Sequence, residues 1–264
     1  MKRILQTPLL PLGKATVAVS CDAKEIISSL LKYGIEVFEI KKNPKMNGAV
    51  SSHADCNLLQ LDSKTFICDE EIASNLKATI KKNIVNNLTI GKSDSEINTD
   101  IEILTEKIES PYPKEAAINV KRVDNNIVCN KNIVSKTILN YCKINNIDIC
   151  HCNQGYVGCS SVLVANNAIM TDDKSVYNSF NRIGFDCLML SKGKIKLNGF
   201  SYGFIGGCCG FIDNNLLAFT GKLDSHDDSK KIKEFLKKYK IDYLELSDKS
   251  LTDVGGIVPI IEEI

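Results

Sequence analysis

The sequence predicts an α/β protein built from about five copies of one hairpin–helix–strand unit arranged in a ring. Three observations predict it. An Asn-Asn pair stands between two short apolar runs three times, at Asn125-Asn126, Asn166-Asn167 and Asn214-Asn215, and asparagine tolerates the positive φ of a tight hairpin turn. Each hairpin is followed by a stretch with helical apolar spacing and then by another strand-like run. The run 257–261 has no strand after it, and the run 16–20 has no hairpin before it, so pairing of these two closes the ring.

In the first unit 16–20 is a strand, Asp22 is placed to cap a helix over 23–33, Gly34 stops that helix and 35–40 returns as a strand. The second starts near His53, with strands around 58–61 and 65–68 and a helix near 70–81 after the capping residue Asp69. The third begins at Ala116, turns at Asn125-Asn126, carries a helix around 134–143 and ends in 147–150. In the fourth, the hairpin 161–171 leads to Asp172 or Asp173 as cap of a helix over 174–183. Val176, Phe180 and Ile183 share a face of that helix, and Gly184 precedes a strand over 185–190. In the fifth, the hairpin 210–220 is followed by His226-Asp227-Asp228, which opens a helix through Lys238, and 241–246 is the closing strand. Only 83–113 breaks the pattern. With Gly91-Lys92-Ser93-Asp94-Ser95 and Pro111-Tyr112-Pro113 it reads as an exposed connection, too short and polar to be a domain. A single domain over 1–264 is expected.

Composition narrows the function classes. The formal net charge of +1 is spread along the chain, and binding to nucleic acid or anionic membrane needs a concentrated basic face. No apolar run approaches the ~20 residues that cross a bilayer. Met1 to Pro8 is basic, but Gln6, Thr7, Pro8 and Pro11 interrupt any apolar core of a signal peptide. Several of the eleven cysteines, among them Cys21, Cys68, Cys129 and Cys187, fall inside strand-like runs, where a reduced thiol serves as a small hydrophobe. The cytoplasm is the expected location. Phosphate-cradling and dinucleotide-binding glycine motifs are absent.

The repeat, together with the runs Ser52-His53-Ala54-Asp55, Gly158-Cys159-Ser160-Ser161, Gly206-Gly207-Cys208-Cys209-Gly210 and Asp253-Val254-Gly255-Gly256, resembles the pentein superfamily, the guanidine-modifying-enzyme fold. More narrowly it is similar to an uncharacterised clostridial-type group with that fold. The resemblance covers nearly the whole chain and implies a pseudo-fivefold α/β propeller whose unit starts line a central ligand channel. Catalytic members attack a guanidinium carbon with a cysteine from a glycine-containing C-terminal loop, assisted by a histidine in an H-x-D or H-x-E pattern. Here the corresponding loop, Gly255-Gly256-Ile257-Val258-Pro259, has no cysteine, and the H-x-D, His53-Ala54-Asp55, stands in the second unit. The deiminase mechanism therefore does not carry over.

Within this frame His53 is the candidate acid/base, Asp55 its orienter, and Cys208 or Cys209 the candidate nucleophile. In an extended strand His53 and Asp55 point the same way, and together they could also hold a cation or metal. The plain structural alternative is a pair that satisfies nearby backbone. Cys208 and Cys209, between Gly207 and Gly210, equally fit a tight strand start, and a thiolate there needs a neighbouring base or cation. Asn119, Cys159 and Asp253 are candidate ligand-binding residues at other unit starts; turn formation explains Asp253 equally well. Cys150-His151-Cys152 lacks the spacing and the second pair of a zinc site. The cluster Asp224, His226, Asp227 and Asp228 is mostly explained by helix capping. No metal or other cofactor is expected.

Two functional readings follow. One is a small-molecule protein that takes a polar, guanidine- or amine-bearing metabolite in the channel, as a binder or as a hydrolase or amidinotransferase without the usual cysteine. The other is a non-catalytic protein-binding factor on the same fold.

Overall fold

The computed structural model describes residues 1–85 and 101–264. Five small sheets carry one main helix each. The first sheet combines β1 (Lys2–Ile4), β2 (Lys14–Ser20) and β3 (Glu36–Ile40), with α1 (Lys24–Lys32) between the last two. A one-turn helix α2 (Ala54–Asn57) leads into β4 (Leu58–Gln60) and β5 (Thr65–Asp69), then α3 (Ala73–Val85) and β6 (Glu102–Glu106). The third unit is β7 (Lys121–Val123), β8 (Asn126–Cys129), α4 (Lys136–Ile144) and β9 (Asp148–His151). The fourth is β10 (Ser161–Ala165), β11 (Ala168–Thr171), α5 (Lys174–Arg182) and β12 (Asp186–Met189). The fifth is β13 (Cys209–Asp213), β14 (Leu216–Phe219), α6 (Ser229–Lys238) and β15 (Asp242–Glu245). The chain then returns to the first sheet as β16 (Val258–Glu263), in the order β1-β16-β2-β3.

The local grammar is the same in each of units two to five: an antiparallel hairpin, a helix, and a third strand parallel to the second. In the first sheet β16 stands where the hairpin partner would be, antiparallel to β2, so the two unpaired runs of the sequence do pair. β16 is also antiparallel to β1, a strand the sequence reading does not contain.

Caps and turns decide where elements begin. The Ser135 hydroxyl accepts from the amides of Thr137 and Ile138, and the Asp173 carboxylate from those of Ser175 and Val176, filling donors that the first helical turn leaves free. Gly34 and Gly184 end their helices at φ 71° and 86°. Three expected caps do not form. Asp69 lies in β5, ahead of α3, and its carboxylate accepts from the amides of Glu71 and Ile108. Ala23 stands at the N-cap of α1 without a side-chain bond, because the Asp22 carboxylate is engaged by Lys42 and the Ser52 hydroxyl. Asp228 precedes α6 but gives its carboxylate to the Ser191 amide and Lys231. The third hairpin turns at Asp124-Asn125, one residue earlier than expected: Asp124 takes φ 43° and Asn126 already pairs with Val123.

The expected connection 83–113 contains structure. Glu102–Glu106 pairs in parallel with Thr65–Asp69 and completes the second unit. Residues 86–100, including Gly91 to Ser95, lie outside the described residues.

No sheet encloses a core by itself, since each is only three or four strands wide. The apolar clusters are instead shared by consecutive units. Leu76 and Ile80 of α3 pack with Ile4, Ile260 and Ile261 of the first sheet. Ile138 and Tyr141 of α4 pack with Leu59, Leu61 and Ile67 of the second unit. Val176 and Phe180 of α5 meet Val123 and Val128 of the third, and Ile232 and Phe235 of α6 meet Val162 and Met170 of the fourth. The last cluster joins Ile26, Ile27 and Leu30 of α1 to Ile212, Ala218 and Leu246 of the fifth.

Phe180 is fully buried and stacks edge-on against Phe185, with ring centroids 5.1 Å apart. Phe180→Ala is therefore expected to lower the unfolding free energy by about 3–5 kcal/mol. Asp173→Ala, which removes a cap, should cost about 1 kcal/mol. Urea denaturation followed by circular dichroism measures both.

Candidate functional site

The first residues of the units meet through a continuous set of hydrogen bonds. The Asp55 amide donates to the Gly255 carbonyl (3.0 Å). The Asn119 side-chain amide donates to the Asp55 carbonyl (2.9 Å), and its oxygen accepts from the Cys159 amide (3.1 Å). The Gly206 amide donates to the Cys159 carbonyl (2.7 Å), while the amides of Val254 and Gly256 both donate to the Gly207 carbonyl (2.9 Å). Two glycines are required by this closeness. A Cβ on Gly207 would lie 2.0 Å from Asp253 Oδ1, and one on Gly255, at φ 82°, would lie 2.3 Å from His53 Cα.

His53 and Asp55 do not lie in a strand as expected. His53 precedes α2 and Asp55 lies inside it. The Asn57 amide and side chain both donate to the His53 carbonyl, which closes one helical turn. The pair still converges: a ring nitrogen of His53, a carboxylate oxygen of Asp55 and the Cys56 sulfur all lie within 4.8 Å of one another. Among the described residues this is the one group of three His, Cys or acidic side chains so placed.

Asp253, from the loop before β16, faces the imidazole, with Oδ1 3.7 Å from His53 Nδ1. Its carboxylate accepts from the amides of Phe204 and Gly255, 2.9 Å each. Burial raises its pKa, and His53 opposes that shift. Both carboxylate oxygens of Asp55 are buried and accept no hydrogen bond, an arrangement that costs free energy unless a cation or donor fills it.

Two thiols complete the cluster. Cys56 Sγ lies 4.0 Å from Cys159 Sγ. The Asn119 amide nitrogen lies 2.9 Å from the Cys159 sulfur and 3.6 Å from that of Cys56. The contact with Cys159 favours a Cys56 thiolate, but burial and the charges of Asp55 and Asp253 outweigh it and push the thiol up to about 11. Burial pushes Cys159 well above the ordinary thiol range.

Lys121 supplies the nearby positive charge. It is buried, and its Nζ donates to the carbonyls of Gly158 (3.0 Å) and Ser161 (2.9 Å). Burial pulls its pKa down to about 8, with Asp55 opposing.

Cavities open on both sides of the cluster. One, of about 220 Å³, is lined by His53, Cys56, Cys159 and Asp253 together with the aromatic side chains of Tyr156, Phe200, Tyr202 and Phe204. Phe204 links the two tyrosine rings, 6.2 Å from Tyr156 and 5.9 Å from Tyr202. The Tyr156 hydroxyl is anchored on Glu115 at 2.6 Å. The other cavity, of about 70 Å³, is lined by Asp55, Lys121, Cys209 and Gly256.

Of the residues expected from sequence, His53, Asp55, Asn119, Cys159 and Asp253 come together. Cys208 does not join them, and Cys209 shares only the smaller cavity with Asp55. Both cysteine sulfurs point to the Ile205 carbonyl, at 3.2 and 3.3 Å, and Cys208 packs among Phe219 and Leu223. Burial raises the Cys208 thiol well above the ordinary range, so its surroundings do not make the expected nucleophile. Asp253, not Asp55, is the carboxylate facing His53 Nδ1. His151 accepts from the Lys131 amide and Cys150 donates to the Ser179 carbonyl. The acidic cluster is taken up by Lys233, Lys194 and Lys231. Cys56, Lys121, Tyr156, Tyr202 and Phe204 were not legible as site residues, although Cys56 directly follows His53-Ala54-Asp55.

The buried lysine has a measurable consequence. Above pH 8 the folded state sheds the Lys121 proton, while the unfolded chain keeps it to about 10.5. The unfolded state then binds more protons, so stability rises with pH in that window. Relative to Lys121→Met, the wild-type protein should gain up to about 3 kcal/mol between pH 8 and 10.5 and show a flat difference below pH 8. Urea midpoints across that range measure it.

Comparison with known proteins places the chain by sequence and by fold. A model of the family of unknown function DUF6873 matches residues 18–258. No curated protein matches in sequence. Among solved structures, agmatine deiminase from C. jejuni superposes with a TM-score of 0.51 at 11% identity, over 95% of this chain and 94% of that one. A cysteine-to-serine variant of the same enzyme with substrate bound gives 0.51 at 11% identity, over 93% and 91%. Dimethylarginine dimethylaminohydrolase gives 0.46 at 10%, over 89% and 92%. At such identities the likeness speaks for the fold alone, a mixed α/β fold of small sheets and helices similar to that of agmatine deiminase. The chain belongs to the family of unknown function DUF6873.

Proposed function

We propose that the five units close into one pseudo-fivefold propeller, a single domain over 1–264, whose centre binds a small polar metabolite bearing a guanidine or amine group. The five shared apolar clusters, of which the last joins the fifth unit to the first, support the ring. So do the hydrogen bonds that connect the unit starts.

The observation that carries the ligand class is the 220 Å³ pocket lined by the aromatic side chains of Tyr156, Phe200, Tyr202 and Phe204 together with Asp253. Aromatic faces attract cations through their quadrupole, and a buried carboxylate supplies the counter-charge. That combination selects a compact organic cation and disfavours an anion. A solved structure of similar fold is an agmatine deiminase, so agmatine heads the series of compounds to test, followed by arginine and simple diamines.

The reading stops at binding. The thiolate is the nucleophilic form of cysteine, and burial together with neighbouring acids keeps both pocket thiols protonated. All eleven cysteines are free, which supports a reducing location such as the cytoplasm. No helix among the described residues is long and apolar enough to cross a membrane.

Calorimetry on chelator-treated protein tests the proposal. At least one guanidine or amine compound should bind; Tyr202→Ala should weaken it about 2- to 30-fold, and Asp253→Asn at least about tenfold. Absence of binding across the series, or affinity unchanged in both variants, would contradict it.

A further inference from the structure

We infer that His53, Asp55, Cys56 and Cys159 form a site for a soft divalent cation of the zinc type. The first three offer one nitrogen, one oxygen and one sulfur within 4.8 Å of one another, and the fourth places a second sulfur 4.0 Å from the first. Two thiolates on one tetrahedral zinc, each bonded at ~2.3 Å, stand about 3.8 Å apart. The sulfur pair already has that spacing; the widest pair of the other three must contract by roughly 1 Å, and Cys159 Sγ, which falls outside that group, must close on His53 and Asp55 by more than that.

The surroundings fit such an ion independently of the spacing. Both Asp55 oxygens are buried and accept no hydrogen bond, whereas nearly all buried carboxylates in folded proteins are satisfied. Asn119 turns an N–H toward both sulfurs, the outer contact that suits metal-bound thiolates. Asp253 faces the imidazole of His53, as carboxylates orient metal-bound histidines from the second layer. Lys121, the nearby ammonium, is already engaged by two carbonyls. Paired thiolates with an imidazole favour zinc over magnesium or calcium.

The site adds to the organic-cation pocket and does not replace it. Two thiolates and Asp55 against a doubly charged ion leave one negative charge, and Asp253 remains beyond the ligand set. His53, Cys56 and Cys159 also line the 220 Å³ pocket, which gives the ion its route inward. On binding, each thiol releases a proton to solvent and each sulfur lone pair is donated to the metal; no electron is transferred.

Cobalt titration of the reduced, metal-free full chain tests the assignment without any organic ligand. One cobalt per chain should produce a sulfur-to-cobalt charge-transfer band and the visible bands of four-coordinate cobalt, both displaced by zinc. Cys56→Ser and Cys159→Ser should each reduce the charge-transfer intensity by about half, since one of two thiolates is lost. Asp253→Asn should weaken binding by about 10- to 100-fold, and Cys187→Ser, remote from the cluster, should leave the titration unchanged. Zinc should also raise the melting temperature of the wild-type protein. Absence of a charge-transfer band in the folded wild-type protein overturns the site, as does a band of undiminished intensity in both Cys56→Ser and Cys159→Ser. Failure here leaves the organic-cation reading standing, because that test is run without metal.

Discussion

The side-chain amide of Asn119 touches three of the five units at once. It donates to the Asp55 carbonyl, accepts from the Cys159 amide, and turns its N–H toward the sulfurs of Cys56 and Cys159. A backbone joint and a functional contact thus share one group. Each apolar cluster is shared by two neighbouring units, so the clusters bind the units together while hydrogen bonds of this kind register their starts. With Asn119 in place, Cys159 is held against Cys56, and Gly206 reaches the Cys159 carbonyl. Gly207 in turn anchors the loop that delivers Asp253 to His53.

That convergence carries an electrostatic cost. Asp55, Asp253, Cys56 and Cys159 all lie in a region of low exposure, and burial disfavours the charged form of each kind of group. The charges of Asp55 and Asp253 also raise the Cys56 thiol, and that of Asp55 raises Asp253. Lys121 offsets part of this at the expense of its own proton affinity. A fold selected only for stability would replace such a cluster with apolar side chains. Its presence where five chain segments meet is the physical basis of the proposal that the site takes a positive charge.

The locally encoded parts of this structure were legible in the sequence. The Asn166-Asn167 and Asn214-Asn215 turns, the Asp173 cap and the stops at Gly34 and Gly184 each depend on residues only a few positions apart. Errors begin where a distant partner intervenes. Asp22 has the right place for a cap, but Lys42 and Ser52 take its carboxylate. His53-Ala54-Asp55 has the alternation of a strand, yet Asn57 and Gly255 fold it into a helical turn. The flanking glycines at a unit start made the Cys208-Cys209 pair attractive, whereas packing turns both sulfurs to Ile205. Cys56 carried no periodic or motif signal, and its role depends on Cys159, 103 residues away.

The central claim is that the buried Asp55 carboxylate is held open for a cation. The most direct measurement is the carbon-13 resonance of that carboxyl, assigned with Asp55→Asn, in stripped protein and after separate addition of zinc and a guanidine compound. The account predicts that the Asp55 signal moves on addition of at least one of them, saturating with binding, while the exposed aspartates stay fixed. An Asp55 resonance unchanged by every cation added would contradict it.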